Sequence, residues 1–411
     1  MPLDVDHARS MLLGGASSGD GFIARALEAV RNHLHLQVAY VSQFVGNDSV
    51  FRVVDAPGLE HLLKAGDRRS LDDVYCRHIL AGRLPELIAD TAQEPICVTM
   101  PITAAIPIGA HVSVPLIMPD GECYGMFCCL GPNADPTLNE RDLGLMRAFA
   151  SLTAFEIDRH RQTTADADAR YARIAALMTD DDIDIVYQPI WDANNRQTVG
   201  YESLSRFPDK LRTPDVWFAD AAEVGLGIEL ELHAIEKALQ ALNFIGEPLY
   251  VAVNASHKVA LDPRLASILA KWPIDRVVLE ITEHSQIDDH AAVSEALAPL
   301  RARGLRVAVD DAGSGYSGLQ QILALKPDYI KLDRMLIEGI GSDPGKTALA
   351  AALKMFASDT GSRIVAEGVE TELELAMLRG LGVHNLQGYL LGRPQPLDMI
   401  VAERVTSRLV A

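Results

Sequence analysis

Acidic and amide side chains recur at the ends of short apolar runs in the second half of this 411-residue chain. Glu202 lies in the run 199–205, and Asn254 closes the run 249–254. Glu280 sits in the run 277–281, with Glu283 just beyond it. Asp310 and Asp311 end the run that begins at 305, and Gly313 and Gly315 follow. Lys331 lies in 329–332, Glu367 follows 363–366, and Gln387 follows Leu386. Charges in apolar strands are costly unless they are paired or metal-bound. One such residue alone reads as a satisfied ion pair. Five carboxylates, one Asn and one Lys on a single rim need more, because carboxylates at one site repel and their pKa values rise without a cation. Hard divalent cations with oxygen ligands, Mg2+ or Mn2+, are the natural partners. Two adjacent aspartates can hold two metals about 4 Å apart, the spacing used for in-line phosphoryl displacement. The residues point to metal-dependent phosphoester hydrolysis, with a one-metal lyase of the enolase type as the alternative.

Such a rim needs a scaffold of repeated strand ends. From 182 to the end, strand candidates at 185–188, 199–205, 249–254, 277–281, 305–310, 329–332, 363–366 and near Leu386 alternate with amphipathic stretches. Eight strands in that length fit a (β/α)8 barrel, whose chemistry sits at the C-terminal strand ends. An open doubly wound sheet would want a glycine-rich first βα turn, and none is present. Arg206 lies four residues after Glu202, on the same face of a period-two strand.

Residues 18–138 mix a helix-like stretch, with Phe22, Ala26, Leu27 and Val30 in phase, and β-rich runs at 38–44, 50–54 and 123–130. This reads as one α+β domain behind a tail at 1–17. Residues 139–178 carry a near-helical apolar stripe through Leu143, Met146, Phe149 and Leu152 and contain no Pro. They predict a long helix with a polar interruption at 160–170. It is either a surface helix with a linker or a signalling helix that pairs with a second chain. Residues 179–411 form the barrel.

Composition narrows the rest. Lys and Arg total 37 against 56 Asp and Glu, a net charge of −19. Such a surface repels duplex nucleic acid and anionic lipid, so neither DNA binding nor membrane insertion is expected. Hydrophobic residues at 48% exclude a mainly disordered chain. The stretch 95–119 lacks charged Asp, Glu, Lys and Arg but carries five prolines, so it reads as short buried strands and loops. No secretory signal is visible at the N-terminus. The five cysteines, Cys76, Cys97, Cys123, Cys128 and Cys129, include no CxxC pair and read as reduced thiols, which places the chain in the cytoplasm.

The ordered motifs also resemble a known family. Tyr187-Gln188-Pro189-Ile190, Glu202-Ser203-Leu204-Ser205-Arg206, Val253-Asn254, Leu279-Glu280-Ile281-Thr282-Glu283, Asp310-Asp311-Ala312-Gly313-Ser314-Gly315, Ile330-Lys331, Ala366-Glu367-Gly368 and Gln387-Gly388-Tyr389 resemble the EAL-domain cyclic di-GMP phosphodiesterases, in family order. The resemblance implies an α/β fold, a modified (β/α)8 TIM-like barrel with one antiparallel strand. It implies hydrolysis of cyclic di-GMP to linear 5′-pGpG with two Mg2+ or Mn2+ ions per site. By motif position, Glu202, Asn254, Glu280 and Asp310 would ligate the first metal. Asp310 would bridge, and Asp311 and Glu367 would hold the second. Lys331 would position the attacking water and stabilise developing charge. Arg206 would grip a substrate phosphate, and Gln188 and Gln387 would position substrate or water. Glu283 would tie the loop at 311–317 to the metal site. Where the family carries Phe and Thr in that loop, this chain has Ala312 and Ser314. That departure leaves a non-catalytic cyclic di-GMP receptor or scaffold as the alternative.

The first zone resembles, more loosely, a GAF domain, which implies an α+β sensory module for an unidentified small molecule and regulation of the barrel through the connecting helix. Cys76 and His78 could hold a tetrapyrrole or haem, although a structural role is the simpler reading. His33, His35, His257, His284 and His290 read as non-ligands. Trp191, Trp217 and Trp272 read as packing residues, one of which could stack a guanine. A homodimer is expected through the barrel and the helix at 139–178.

Overall fold

The computed structural model describes residues 18–195, 197–281, 290–312, 316–383 and 385–410, without the side chains of 18–20, 311–312, 316–319 and 404–410. The chain divides into two compact units, Met1–Asp168 and Ala169–Ala411.

The first unit is built on a six-stranded antiparallel sheet. Helix α1 (Ser18–His33) precedes β1 (Val38–Val45) and β2 (Asp48–Asp55), a hairpin turning at Gly46 with φ +62°. Then come β3 (Arg68–Ser70), β4 (Leu87–Ile88), β5 (Ala110–Ile117) and β6 (Cys123–Gly131), in the spatial order β3-β2-β1-β6-β5-β4. Strand alternation sends Ala39, Val41, Phe127 and Cys129 to one face, where Ile23, Leu27 and Val30 of α1 cover them. Met146 and Ala150, from the start of helix α2 (Glu140–Thr179), join that layer. Val38, Tyr40, Met126 and Cys128 face the other way, under short helices that contribute Cys76, Ile79, Cys97 and Ile102. All five cysteines are free thiols.

Two expectations are corrected here. The stretch 95–119 holds two short helices, Pro95–Thr99 and Pro101–Ala105, before β5, an eight-residue strand. The long helix read at 139–178 does not break at its polar stretch 160–170: α2 is one helix of 40 residues. Its polar middle breaks the apolar stripe but contains no helix breaker. Among the described residues, no helix is long and apolar enough to cross a membrane.

The second unit is a closed barrel. Its strands are β7 (Asp184–Asp192), β8 (Gln197–Arg206), β9 (Tyr250–Ala255), β10 (Val277–Ile281), β11 (Arg306–Ala312), β12 (Tyr329–Leu332), β13 (Arg363–Ala366) and β14 (Asn385–Leu386). Neighbours from β8 to β14 are parallel, β7 runs antiparallel to β8, and β14 closes the barrel antiparallel to β7. A short β15 (Gln395–Pro396) pairs with the other end of β7. The one antiparallel strand makes this the modified barrel expected from the motifs.

Period two divides each strand between two cores. Val251, Val253, Val277, Leu279, Val307, Val309, Ile330 and Leu332 face the surrounding helices in one large cluster. Ile190, Tyr250, Ala252, Val278, Ala308, Tyr329 and Val365 fill the interior as a separate one. Two residues after most of these interior residues come Asn254, Glu280, Asp310, Lys331 and Glu367. The barrel is thus plugged with apolar side chains, and the next inward layer is polar.

Candidate active site

The polar layer closes on one ammonium group. Lys331 Nζ lies 2.6 Å from Glu280 Oε2, 2.7 Å from Glu367 Oε1, 3.2 Å from Glu202 Oε1 and 3.4 Å from Asp310 Oδ2. Strand register creates the cluster. Glu280 pairs across with Asn254 on β9 and Ala308 on β11, and Lys331 pairs with Val365 on β13. Inward positions at one height therefore come from successive strands. Lys331 is 1% exposed, so the ammonium is held by carboxylates and not by water.

Amides brace this layer. Gln387 Nε2 donates to Glu202 Oε2 at 2.5 Å and to Gln188 Oε1 at 3.0 Å. Gln188 Nε2 donates to the Gly392 carbonyl at 3.1 Å. Asn254 also hydrogen-bonds Glu202. Beside Glu202, the Ser203 hydroxyl donates to the Ala252 carbonyl on β9 at 2.8 Å, so it serves the sheet.

Four carboxylates around one ammonium leave three negative charges in excess when all are ionised. Burial and the neighbouring acids raise the Glu280 pKa well above the usual carboxylate range despite Lys331. Burial raises Glu367 to about 8. Burial acts the same way on Glu202, but Lys331 and Gln387 outweigh it and hold Glu202 low. Burial disfavours the Lys331 ammonium, yet Asp310, Glu202, Glu280 and Glu367 raise its pKa well above the ordinary value. The cluster is under-compensated for cation charge, the condition that favours a further cation.

The donor set suits a hard divalent ion. Its atoms are all oxygens, from Glu202, Asn254, Glu280, Asp310 and Glu367. Two buried oxygens, Glu367 Oε1 and Gln387 Oε1, make no hydrogen bond. Glu367 Oε1 lies 2.7 Å from Lys331 Nζ as an ion pair. Among the described residues, no three acidic or imidazole groups already surround a common point as a cation cage; the carboxylates close on Lys331. The Asp311 side chain and Glu283, both expected here, lie outside the described residues, as does His284.

A cavity of about 710 Å3 opens beside the cluster, lined by Glu202, Asn254, Asp310 and Arg206 among others. Arg206 is exposed, and its guanidinium donates to the adjacent Ser205 carbonyl at 2.9 Å. It stands at the cavity as a cation turned to solvent. Glu231 also lines the cavity and accepts the Ser256 backbone N–H at 2.7 Å. Burial raises its pKa. Nothing in the sequence marked Glu231, since a glutamate on an amphipathic helix reads as a solvated position. His257, near this wall, packs against His290 with ring centroids 5.9 Å apart. Cys76 is buried in the first unit, whereas His78 is partly exposed.

The fold and site define a modified barrel with an acidic cluster at its strand ends, and comparison with known proteins gives the family. The EAL domain family model matches residues 171–394, and a GAF domain model matches residues 16–158. The chain belongs to the EAL-domain family and carries a GAF domain ahead of the barrel. It is 30% identical over 334 residues to an uncharacterized signaling protein of Caulobacter vibrioides, covering 78% of this chain and 39% of that protein. It is 34% identical over 236 residues to a cyclic di-GMP phosphodiesterase of Pseudomonas aeruginosa, covering 53% of this chain and 39% of the relative. The solved structure of the MucR phosphodiesterase of Pseudomonas aeruginosa in complex with c-di-GMP is 27% identical, with a TM-score of 0.51, covering 56% of this chain and 99% of that one. The chain spans only about two-fifths of the length of these two curated relatives.

Proposed function

We propose that this chain is a cyclic di-GMP phosphodiesterase, yielding linear 5′-pGpG, whose barrel is regulated by the GAF domain. The observation that carries the reading is the set Glu202, Glu280, Asp310 and Glu367 around the buried Lys331, beside a cavity that presents the exposed cation Arg206. The cavity can admit a nucleotide, and an acidic protein needs a local cation to recruit an anionic substrate.

In this reading Glu202, Asn254, Glu280, Asp310, Asp311 and Glu367 hold two Mg2+ or Mn2+ ions. Such ions supply Lewis acidity to the phosphodiester and to the attacking water. The residues do the rest. Arg206 binds a phosphate of the substrate. Gln387 fixes the carboxylate of Glu202 and, with Gln188, positions substrate or water. Lys331 stabilises negative charge developing at phosphorus, from a site where little water competes. Glu283 ties the loop after β11 to the site. We assign 18–138 to the sensory domain, 139–178 to the connecting helix and 179–411 to the barrel. The sensory domain takes an unidentified small molecule, and the active form is a homodimer.

The test is chromatographic. Purified protein is incubated with cyclic di-GMP and Mg2+ or Mn2+, then with chelator added. Linear 5′-pGpG that forms with metal and stops with chelator is the expected result, and Glu202→Ala abolishes it. Intact substrate under both metals, with tight binding in a titration, would turn the assignment to a receptor. Neither binding nor turnover would overturn both.

A further inference from the structure

One wall of the cavity is helix α3 (Pro214–Glu223), which contributes Pro214, Asp215, Phe218 and Ala219. Its opposite face is gripped by the last turns of α2. Asp220 of α3 is 8% exposed, accepts hydrogen bonds from two arginines and pairs with a third. Arg173 Nη2 lies 2.9 Å from its Oδ2, and Arg212 Nη2 bonds the same oxygen. Arg170 Nη1 lies 3.8 Å from Oδ1 and also pairs with Glu223. Arg170 and Arg173 belong to α2, and Arg212 to the loop that follows β8.

Trp217 completes the joint. The Arg173 and Arg212 guanidiniums lie 5.4 Å and 4.9 Å from the centroid of its indole. Phe207 stacks on that indole at 5.2 Å and 16° between planes, and meets Phe218 edge-on at 5.6 Å. Ile174, Leu177, Ala221 and Leu230 close the packing around them. Phe207 follows directly on Arg206, and Phe218 faces the cavity. A chain of direct contacts therefore runs from Arg173 on α2, which Asp220 anchors, to Trp217, then to Phe207 and to Phe218 in the cavity wall.

Charge makes this joint sensitive to position. One carboxylate holds three guanidiniums together, and without it they repel at short range in a partly dry setting. A small displacement of the last turn of α2 must either carry α3 with it or break a desolvated pair, because packed interiors deform little.

We propose that Asp220 and Trp217 are positioning residues through which the end of α2 sets the cavity wall and the affinity for cyclic di-GMP. The inference rests on the phosphodiesterase reading and deepens it, naming the joint through which regulation reaches the site. Neither residue touches the acidic cluster, so the expected signature is in KM rather than kcat.

The test uses the full chain with Mn2+. Hydrogen–deuterium exchange is followed over 207–223, and KM and kcat for cyclic di-GMP are measured in the same preparations. Asp220→Asn is expected to raise exchange in that segment about tenfold and KM about fivefold or more, with kcat changed by less than about twofold. Asp220→Glu is expected to restore both. Arg173→Gln removes one partner from the exposed side of the pair and gives the same signs should Asp220→Asn fail to fold. Unchanged exchange overturns the joint. Raised exchange with unchanged KM, or a fall confined to kcat, overturns the coupling to substrate. A wild type that neither binds nor cleaves cyclic di-GMP overturns the functional reading itself, whereas an active wild type with unaffected variants overturns this inference alone.

Discussion

Lys331 Nζ and Glu280 Oε2 lie 2.6 Å apart although their strands, β12 and β10, are separated by β11. The contact spans β11 on the inward face of the sheet, between side chains of two strands that do not pair with each other. Both groups are almost wholly buried. Lys331→Met keeps the length of the side chain and removes the ammonium. Glu202, Glu280, Asp310 and Glu367 would then face one another without it. Metal-free protein is expected to lose about 3–5 kcal/mol of stability, the usual result of orphaning a buried pair. Turnover with Mn2+ is expected to fall about 10²–10³-fold or more, as when one donor to a developing oxyanion is removed. Thermal melts with and without Mn2+ and a turnover assay check both. A variant as stable and as active as the parent would remove Lys331 from the site.

Gln387 offers a milder test of the same layer. Its amide holds Glu202 Oε2 and connects it to Gln188. Partners that orient a ligating carboxylate typically contribute 10–100-fold to metal affinity. Gln387→Met should therefore raise the Mn2+ concentration needed for half-maximal activity by about 10–100-fold, with most turnover recovered at saturating metal. A metal titration of activity decides it. Equal loss of activity at all Mn2+ concentrations would place Gln387 on the substrate instead.

His257 gives the pH dependence. Burial, with a smaller contribution from His290, holds its pKa down to about 4, against 6.5 for the exposed side chain. The folded protein thus binds a proton at His257 less readily than the unfolded chain. Stability from this residue is complete above pH 6.5 and is lost as pH falls toward 4. His257→Gln should flatten the decline in melting temperature between pH 6.5 and 4. An unchanged slope in the variant would assign the acid sensitivity elsewhere.

Much of the barrel is written in local pattern. The strands Val277–Ile281, Tyr329–Leu332 and Arg363–Ala366 have the bounds expected of them, because strands covered on both faces read as short apolar runs. The same pattern made the acids conspicuous, and Glu202, Glu280, Asp310 and Glu367 do meet around Lys331. That all four would close on the ammonium was not legible, since it depends on barrel closure and register and not on spacing. The strand β5 was hidden by Pro115, which normally argues against a strand interior. It is tolerated because β4 pairs only with His111 and Val112, leaving Pro115 without a neighbour on that side. Glu231 was hidden for a different reason: only the tertiary fold turns that face of its helix toward the cavity.

Beneath the acidic layer, Gly200 tests how tightly the floor is packed. An added methyl there would lie 2.6 Å from three atoms of the Tyr250 ring, well inside contact distance. Tyr250 cannot easily give way, because it stacks on Tyr329 at 5.9 Å and lies under the Arg306 guanidinium at 4.7 Å. Overpacking of this kind costs about 1–3 kcal/mol. Gly200→Ala is thus expected to lower the melting temperature by several degrees. It should also reduce turnover, since Glu202 is the next inward residue on the same strand. The ring is identified as the obstacle by a double-mutant cycle: in a Tyr250→Leu background the same glycine substitution should cost much less. Equal costs in the two backgrounds would mean that the methyl meets something other than Tyr250.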